Sequence, residues 1–567
     1  MQLDPVEAFL VRRRLLFLLL TGLFLYVAFL GLRDVWYPDE PDIAEVARAM
    51  FRSGDWVSPR RMGEIWVDYP PMIYWIGTIF SHLLGDMTAF SLRLPNALVA
   101  ILTVLLTARV ADRWFGERAG LWAGLSLLTF MLFVYEGNSY RPDVTFTLSI
   151  AAGMFCYARG SGYADGTTNV YAKMLAFVFF GLAMLSKGPL GLLLPGLVLV
   201  IWLGLRKDWL QILQLAPLAI ISLLVYGAWF VNNGQAMGME KMLYEFYAQN
   251  FERFLTADNR GHGQPWYYFL RNFWLDFSPW SWLFPPTLLW LYRSGKYRDA
   301  RVQLALLWFF VFFVFLSAAA TKRQLYLLPA FPPVALLLGT WLAAVAASRK
   351  DAAADSTGVI AVPVYAVALS VVFIALGGFL VWAAPNLASL TAGHDLNGQQ
   401  VEVVANARLP LLVLGITFIG SAVVIGSLWR TRGNRAALLG IGITHVAIYA
   451  VILALVMPSF APVKTYRPQS EWISAQIGEQ TRFGMVDPYG VLRRGGFAYY
   501  TETDVDLLDG FDETKAYLQK YPHTIVLIRD SEFERDFRDR LAEAHLRYLR
   551  EIRVGSHRYL AVGPDAP

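Results

Sequence analysis

The run IAVPVYAVALSVVFIALGGFLVWAA occupies residues 360–384 and carries no charged side chain. A helix that crosses the hydrocarbon core of a bilayer needs about 20 consecutive, mostly apolar residues. Working outward, comparable runs lie at 14–32, 90–111, 119–136, 143–158, 171–186, 189–205, 213–231, 276–292, 301–319, 325–346, 409–429 and 436–457. The segment 72–84 is apolar but short and reads as an interfacial stretch. The expected architecture is therefore an all-α polytopic membrane domain of about thirteen transmembrane helices. Composition agrees: of 567 residues, 56% are hydrophobic and only 16% charged, with a mean hydropathy of +0.43, whereas soluble domains carry about 25% charged residues. Cys156 is the single cysteine, so the fold uses no intrachain disulfide. Arg12, Arg13 and Arg14 precede the first run, but no small-residue cleavage site follows it, so that run reads as an uncleaved helix.

Loop charges test this reading. With the N-terminus inside, the inner loops hold Arg113 and Arg118; Arg159 and Lys173; Arg206 and Lys207; Arg293, Lys296, Arg298 and Arg301; Arg349 and Lys350; and Arg430, Arg432 and Arg435. This is the positive-inside pattern, and it explains the net charge of +5 without invoking nucleic acid. The large loops 33–89 and 232–275, the loop 385–408 and the tail then fall outside. From about residue 463 charge density rises and the long apolar runs stop. Strand-like stretches appear at Phe483–Val486, Thr524–Ile528 and Arg558–Val562, with a charged helical stretch at Glu532–Arg550. The expected division is a membrane domain over 1–462 and a small soluble α/β domain over 463–567.

Chemistry is expected where polar residues gather at the outer face. The first outer loop opens Trp36-Tyr37-Pro38-Asp39-Glu40-Pro41-Asp42, with Glu45 close behind. Such carboxylates either compensate a helix dipole or supply a general base for an acceptor hydroxyl or phosphate. The same loop continues Asp68-Tyr69-Pro70-Pro71, then Tyr74-Trp75; its aromatics form an interfacial belt or line a groove for an isoprenoid tail. Asp143 heads an apolar helix, as a cap or as a functional intramembrane carboxylate. Lys187, in the turn Ser186-Lys187-Gly188-Pro189, and Lys322-Arg323 are basic residues on the outer face. They either snorkel or hold an anion such as a lipid phosphate. His262 lies in the large outer loop; no histidine pair has metal-ligand spacing, and no nucleotide-binding loop appears.

These segments resemble the GT-C membrane glycosyltransferases, in the branch of the lipid A 4-amino-4-deoxy-L-arabinose transferases and the protein O-mannosyltransferases. The resemblance rests on Asp39-Glu40 with Ala44-Glu45, Ser53-Gly54-Asp55-Trp56, Pro70-Pro71 with Tyr74-Trp75, Arg141-Pro142-Asp143, Ser186-Lys187-Gly188-Pro189, the stretch 250–268, and Lys322 before Tyr326-Leu327-Leu328-Pro329. It implies a metal-independent or weakly metal-dependent, inverting transfer from an undecaprenyl-phosphate sugar, with no cofactor. Asp39 and Asp143 would be catalytic; Lys187, Lys322 and Arg323 would hold the donor phosphate. Tyr37, Glu40, Asp68, Tyr69, Tyr74, His262 and Tyr326 would contact substrate. Where the aminoarabinose transferases read Glu-Lys-Pro, with the lysine facing a phosphate, this chain reads Asp68-Tyr69-Pro70. That change points toward a neutral sugar or an acceptor other than a lipid A phosphate.

The resulting expectation is a monomeric glycosyltransferase of a bacterial inner membrane, with its site and tail on the periplasmic side. Its expected acceptor is lipid A or another lipopolysaccharide component; the alternative is protein O-glycosylation. A lipid-linked sugar transporter fits less well, since transporters are often built from internal repeats around a midplane site and none is evident here. An envelope scaffold would leave the outer-face charges without a purpose.

Overall fold

A computed structural model describes residues 5–256, 263–347, 356–392, 394–478, 480–488 and 494–565. Helical segments fall on all thirteen apolar runs. Among the described residues, eight helices are long and apolar enough to cross a membrane, or nine if the bent pair Glu117–Thr129 and Met131–Gly137 forms one span. Arg14–Val27 and Leu190–Leu205 are apolar but shorter. The chain is thus a multi-pass membrane protein, and the runs below the length criterion are the short, broken or polar ones.

The helices pack through small residues, as they must where lipid supplies no hydrophobic drive between them. Gly377 and Gly415 face each other across the helices Ser356–Leu390 and Gly398–Arg432. A Cβ on either would lie 2.6–2.8 Å from the other's carbonyl oxygen. Gly339, in the helix Phe331–Ala347, meets Ala119 and Ala123 as closely.

The pair Glu117–Thr129 and Met131–Gly137 bends by 66° at Phe130. Its freed backbone is satisfied inside the protein, as membrane depth demands. Met131 N–H donates to the Ser278 carbonyl (2.9 Å), and Trp280 Nε1 donates to Thr129 Oγ1 (2.8 Å).

The loop 33–89 folds into the helix Glu40–Ser53, a two-residue hairpin (β1, Arg60–Arg61; β2, Glu64–Ile65) and the helix Met72–Leu84. Pro41 in the first turn and acidic Glu40 and Asp42 suit the start of the former. Gly54, at φ 69°, ends it with its N–H on the Met50 carbonyl.

The tail forms a five-stranded sheet of β3 (Arg482–Val486), β4 (Asp504–Leu507), β5 (Val526–Arg529), β6 (Leu546–Val554) and β7 (His557–Pro564), in the order β4-β3-β5-β7-β6. β3 pairs in parallel with β4 and β5, while β7 is antiparallel to β5 and β6. The expected strands at 483–486, 524–528 and 558–562 correspond to β3, β5 and β7. The expected helix over Glu532–Arg550 is corrected: only short helical turns occur up to Ala544, and Leu546–Val554 is strand. Charge masked the β pattern there, because β6 is an edge strand whose outward positions Arg547 and Arg550 are solvated.

Candidate functional site

The site is built on one buried carboxylate. Glu40, 3% exposed, accepts from Arg33 Nη1 (2.7 Å), Arg93 Nε (2.9 Å) and Arg93 Nη2 (2.7 Å). It also accepts from the N–H groups of Trp36 (3.0 Å) and Tyr140 (2.9 Å). Burial alone would raise its pKa, but Arg33 and Arg93 hold it well below the usual carboxylate range. Four segments are thereby tied together: the end of the first helix, the turn at Trp36, the helix Ala89–Phe115 and the loop before Asp143. Glu40 thus lies with both oxygens occupied, beneath the functional groups rather than among them.

The residue before it faces the other way. Asp39 is bonded by both Nη atoms of Arg323, with Nη1 at 3.2 Å, and by Arg141 Nη2 at 2.8 Å. Arg141 also donates to Glu136 Oε1 (3.0 Å). Burial works against the charge of both arginines, but Glu136 and Asp39 keep Arg141 fully cationic, and Asp39 raises Arg323. Beside this cluster the Lys187 ammonium is bonded to Asp143, itself 2% exposed, and lies 4.7 Å from the centre of the Tyr326 ring.

An open cleft of about 1160 Å³, including the part that opens to solvent, runs from these groups. Its polar end is formed by Asp68, Tyr69, Lys187, Arg253, Thr321 and Tyr326. Arg253 lies 3.7 Å from Asp68 and donates to Gln249 Oε1 at 2.9 Å. Glu245, Gln249 and Asn250 also line the cleft, and the rest of the wall is largely apolar, with Phe146, Leu190, Leu194, Trp229, Phe246 and Phe315 along it. The Tyr69 hydroxyl is held neutral by burial and by the fields of Asp68 and Asp39. Among the described residues, no group of three or more His, Cys, Asp or Glu side chains is placed to hold a metal ion.

The residues singled out in the sequence thus divide. Asp68, Tyr69, Lys187 and Tyr326 line the cleft; Asp143 pairs with Lys187 of that lining, and Asp39 and Arg323 pair with each other and act electrostatically on Tyr69. Tyr37 bonds His557 of the tail through its hydroxyl (2.8 Å). Tyr74, 1% exposed, packs among Ile73, Tyr140 and Leu92. Lys322, 3% exposed, donates to the carbonyls of Gln264 (2.8 Å) and Ala319, and burial lowers its pKa. His262 lies outside the described residues. Arg141 and Arg253 join the cluster although neither was singled out. The available signal was the one applied to Lys187, an arginine on the outer face against the positive-inside trend.

A solved structure, ArnT from Cupriavidus metallidurans bound to undecaprenyl phosphate, superposes with a TM-score of 0.74, covering 97% of this chain and 99% of that one at 20% identity. The chain shares the fold of that structure. The family model described as dolichyl-phosphate-mannose-protein mannosyltransferase matches residues 68–229. The undecaprenyl phosphate-alpha-4-amino-4-deoxy-L-arabinose arabinosyl transferase of Erwinia tasmaniensis is 29% identical over 408 residues, covering 67% of this chain and 72% of that protein. The protein of the same name from Aeromonas salmonicida is 31% identical over 318 residues, covering 56% and 57%. The match thus spans a little over half the length of some of these relatives.

Proposed function

We propose that this chain is a glycosyltransferase that moves a sugar from an undecaprenyl-phosphate donor to an acceptor at the periplasmic face, lipid A or another lipopolysaccharide component. The observation that carries this reading is the cleft: its lining combines Lys187 and Arg253 with a largely apolar wall. Such a shape accepts a lipid phosphate headgroup and the start of its isoprenoid chain together. Similarity to proteins named as undecaprenyl phosphate-aminoarabinose transferases supports it.

In the reaction, an acceptor oxygen attacks the anomeric carbon and the bond from that carbon to the phosphate oxygen breaks. The configuration inverts. The phosphate leaves with one more negative charge than it held as a diester, and Lys187, Arg253 and Arg323 lie where that charge grows. Groups fixed in advance around a developing charge lower the barrier without reorganising. Asp39 orients the acceptor and takes its proton when the acceptor is a hydroxyl. Asp143 holds Lys187 in place. Tyr69 adds no positive charge at the cleft, which favours a neutral sugar or an acceptor other than a phosphate.

Mass spectrometry of glycolipids from cells with the wild-type chain, the Asp39→Asn variant or neither tests this. A one-sugar mass increment on lipid A, absent with the variant, is expected, together with accumulation of the sugar donor. An unchanged lipid A profile with donor accumulation would move the acceptor to protein, the reading favoured by the mannosyltransferase family match. No change in any glycolipid or donor would overturn the enzyme reading.

A further inference from the structure

Four consecutive residues ahead of Asp39 are each bonded to the tail. Asp34 accepts from Thr465 Oγ1 (2.8 Å) and Arg467 Nε (2.9 Å). The Tyr500 hydroxyl bonds both backbone groups of Val35, accepting from its N–H at 2.9 Å and donating to its carbonyl at 3.3 Å. Trp36 forms an antiparallel bridge with Thr465. Tyr37 donates its N–H to the Lys464 carbonyl (3.1 Å), and its hydroxyl lies 2.8 Å from His557 Nε2. The Tyr37 ring rests on Gly555, where an added Cβ would approach it to 2.9 Å. Only Pro38 separates this run from Asp39.

The other side of the turn is held as tightly. The helix Arg494–Thr501 packs on Glu40–Ser53 so closely that a Cβ on Gly495 would fall 2.0 Å from Asp42 Oδ1. Membrane-domain groups reach the Asp39 side chain through Arg141 and Arg323 and the backbone through Arg93 on the Asp34 carbonyl, while tail groups hold the backbone at Val35, Trp36 and Tyr37.

We infer that the C-terminal domain is a positioning clamp for the catalytic loop: Tyr500 and His557 fix the segment 34–37, and thereby Asp39, in register with Arg141 and Arg323. These are positioning residues, since none of them lines the cleft. A misplacement of about 1 Å in a reacting group costs roughly 100-fold in rate, so loss of either contact should lower turnover, while donor binding, which also draws on Lys187, Arg253 and the apolar wall of the cleft, is largely retained. The inference rests on the proposed role of Asp39.

The test uses the full chain in liposomes, with donor lipid extracted from cells carrying Asp39→Asn. Tyr500→Phe and His557→Leu are expected to lower kcat by roughly tenfold or more, with KM for the donor and binding of undecaprenyl phosphate within about twofold of wild type. His557→Gln, which keeps a hydrogen-bonding group toward Tyr37, is expected to recover part of the loss. Tyr517→Phe removes a hydroxyl of the same domain that bonds Asp506, away from the loop, and is expected to leave kcat unchanged. Unchanged kcat in Tyr500→Phe and His557→Leu, or an equal loss in Tyr517→Phe, would overturn the clamp. Hydrogen exchange over residues 34–42 is read on the same variants. Faster exchange in Tyr500→Phe is expected, and unchanged exchange overturns the clamp even if Asp39→Asn proves active, an outcome that would instead remove the proposed role of Asp39.

Discussion

The helix Ala89–Phe115 is 27 residues long, about 40 Å at the usual rise per residue, and the ion pairs at its two ends differ. At its far end Arg113 meets Asp165 at 3.0 Å with the arginine 59% exposed, and nearby Arg301 pairs with Asp299, its neighbour two residues away. At its near end Arg93, 1% exposed, meets Glu40 together with Arg33, and above them Asp39 gathers arginines from two further loops. The far end also holds one buried pair, Arg14 with Asp112 at 2.7 Å, but its more exposed pairs, Arg113 with Asp165 above all, are replaceable on a surface that needs charge for orientation. Buried pairs at the near end define geometry, because each charge there is tolerable only while its partners stay in place.

The largest expected effect falls on Asp39. Asp39→Asn keeps the size and polarity of the side chain but removes the charge that holds Arg141 and Arg323 and the base that takes a proton. Turnover is expected to fall by roughly 1,000-fold, measured with extracted donor lipid and membranes as acceptor. Gel-filtration behaviour should be unchanged. A variant within tenfold of wild type would show that the near-end cluster organises the protein without performing its chemistry.

Glu40→Gln sharpens the same comparison in stability. It leaves Arg33 and Arg93 buried with one neutral partner, and breaking a buried pair in this way costs about 3–5 kcal/mol. Asp165→Asn at the far end is expected to cost at most about 1 kcal/mol. Apparent melting of the two variants in detergent reads the difference directly. Equal shifts would remove the distinction between the two ends.

Much of the fold was open to reading because the bilayer imposes a length and a polarity that local sequence must obey. The apolar runs needed only locating, and each carries helix; among the described residues eight, or nine with the bent pair, are long and apolar enough to cross. The site was legible where a residue's oddity was local: Lys187 in an outer turn, Asp143 heading an apolar helix, Asp39 in an acidic turn. It was illegible where meaning came from a distant partner. Asp39 and Arg323 are 284 residues apart, and no spacing rule relates them. Glu40 and Asp39 are adjacent and alike, yet Glu40 is caged by Arg33 and Arg93 while Asp39 is bonded by Arg141 and Arg323, and nothing local separates them. Tyr37 and Lys322 look like site residues for the same reason Asp39 does, being polar groups beside a membrane helix. Only the packing shows that one bonds the tail and the other bonds carbonyls.

The smallest expected effect is a pH dependence at the seam between the two regions. Asp42 sits under Gly495 and accepts from Arg61 Nη1 at 3.1 Å. Burial pushes its pKa up to about 7 from an ordinary 3.8, Arg61 opposing this and the nearby Asp39 and Asp68 adding to it. Between those two values the folded chain holds a proton that the unfolded chain has lost, so stability falls as pH rises. The stabilising contribution is fully present below the ordinary value and is lost as pH rises through about 7. Across about pH 5 to 8 the change should be on the order of 2 kcal/mol, given 1.36 kcal/mol per unit and a side chain that is not wholly enclosed. Asp42→Asn carries no titrating group and should flatten the apparent melting temperature over that range. An undiminished slope would mean that the ion pair with Arg61, rather than burial beneath the tail, governs Asp42, and that this contact belongs with the charge-holding cluster at the near end.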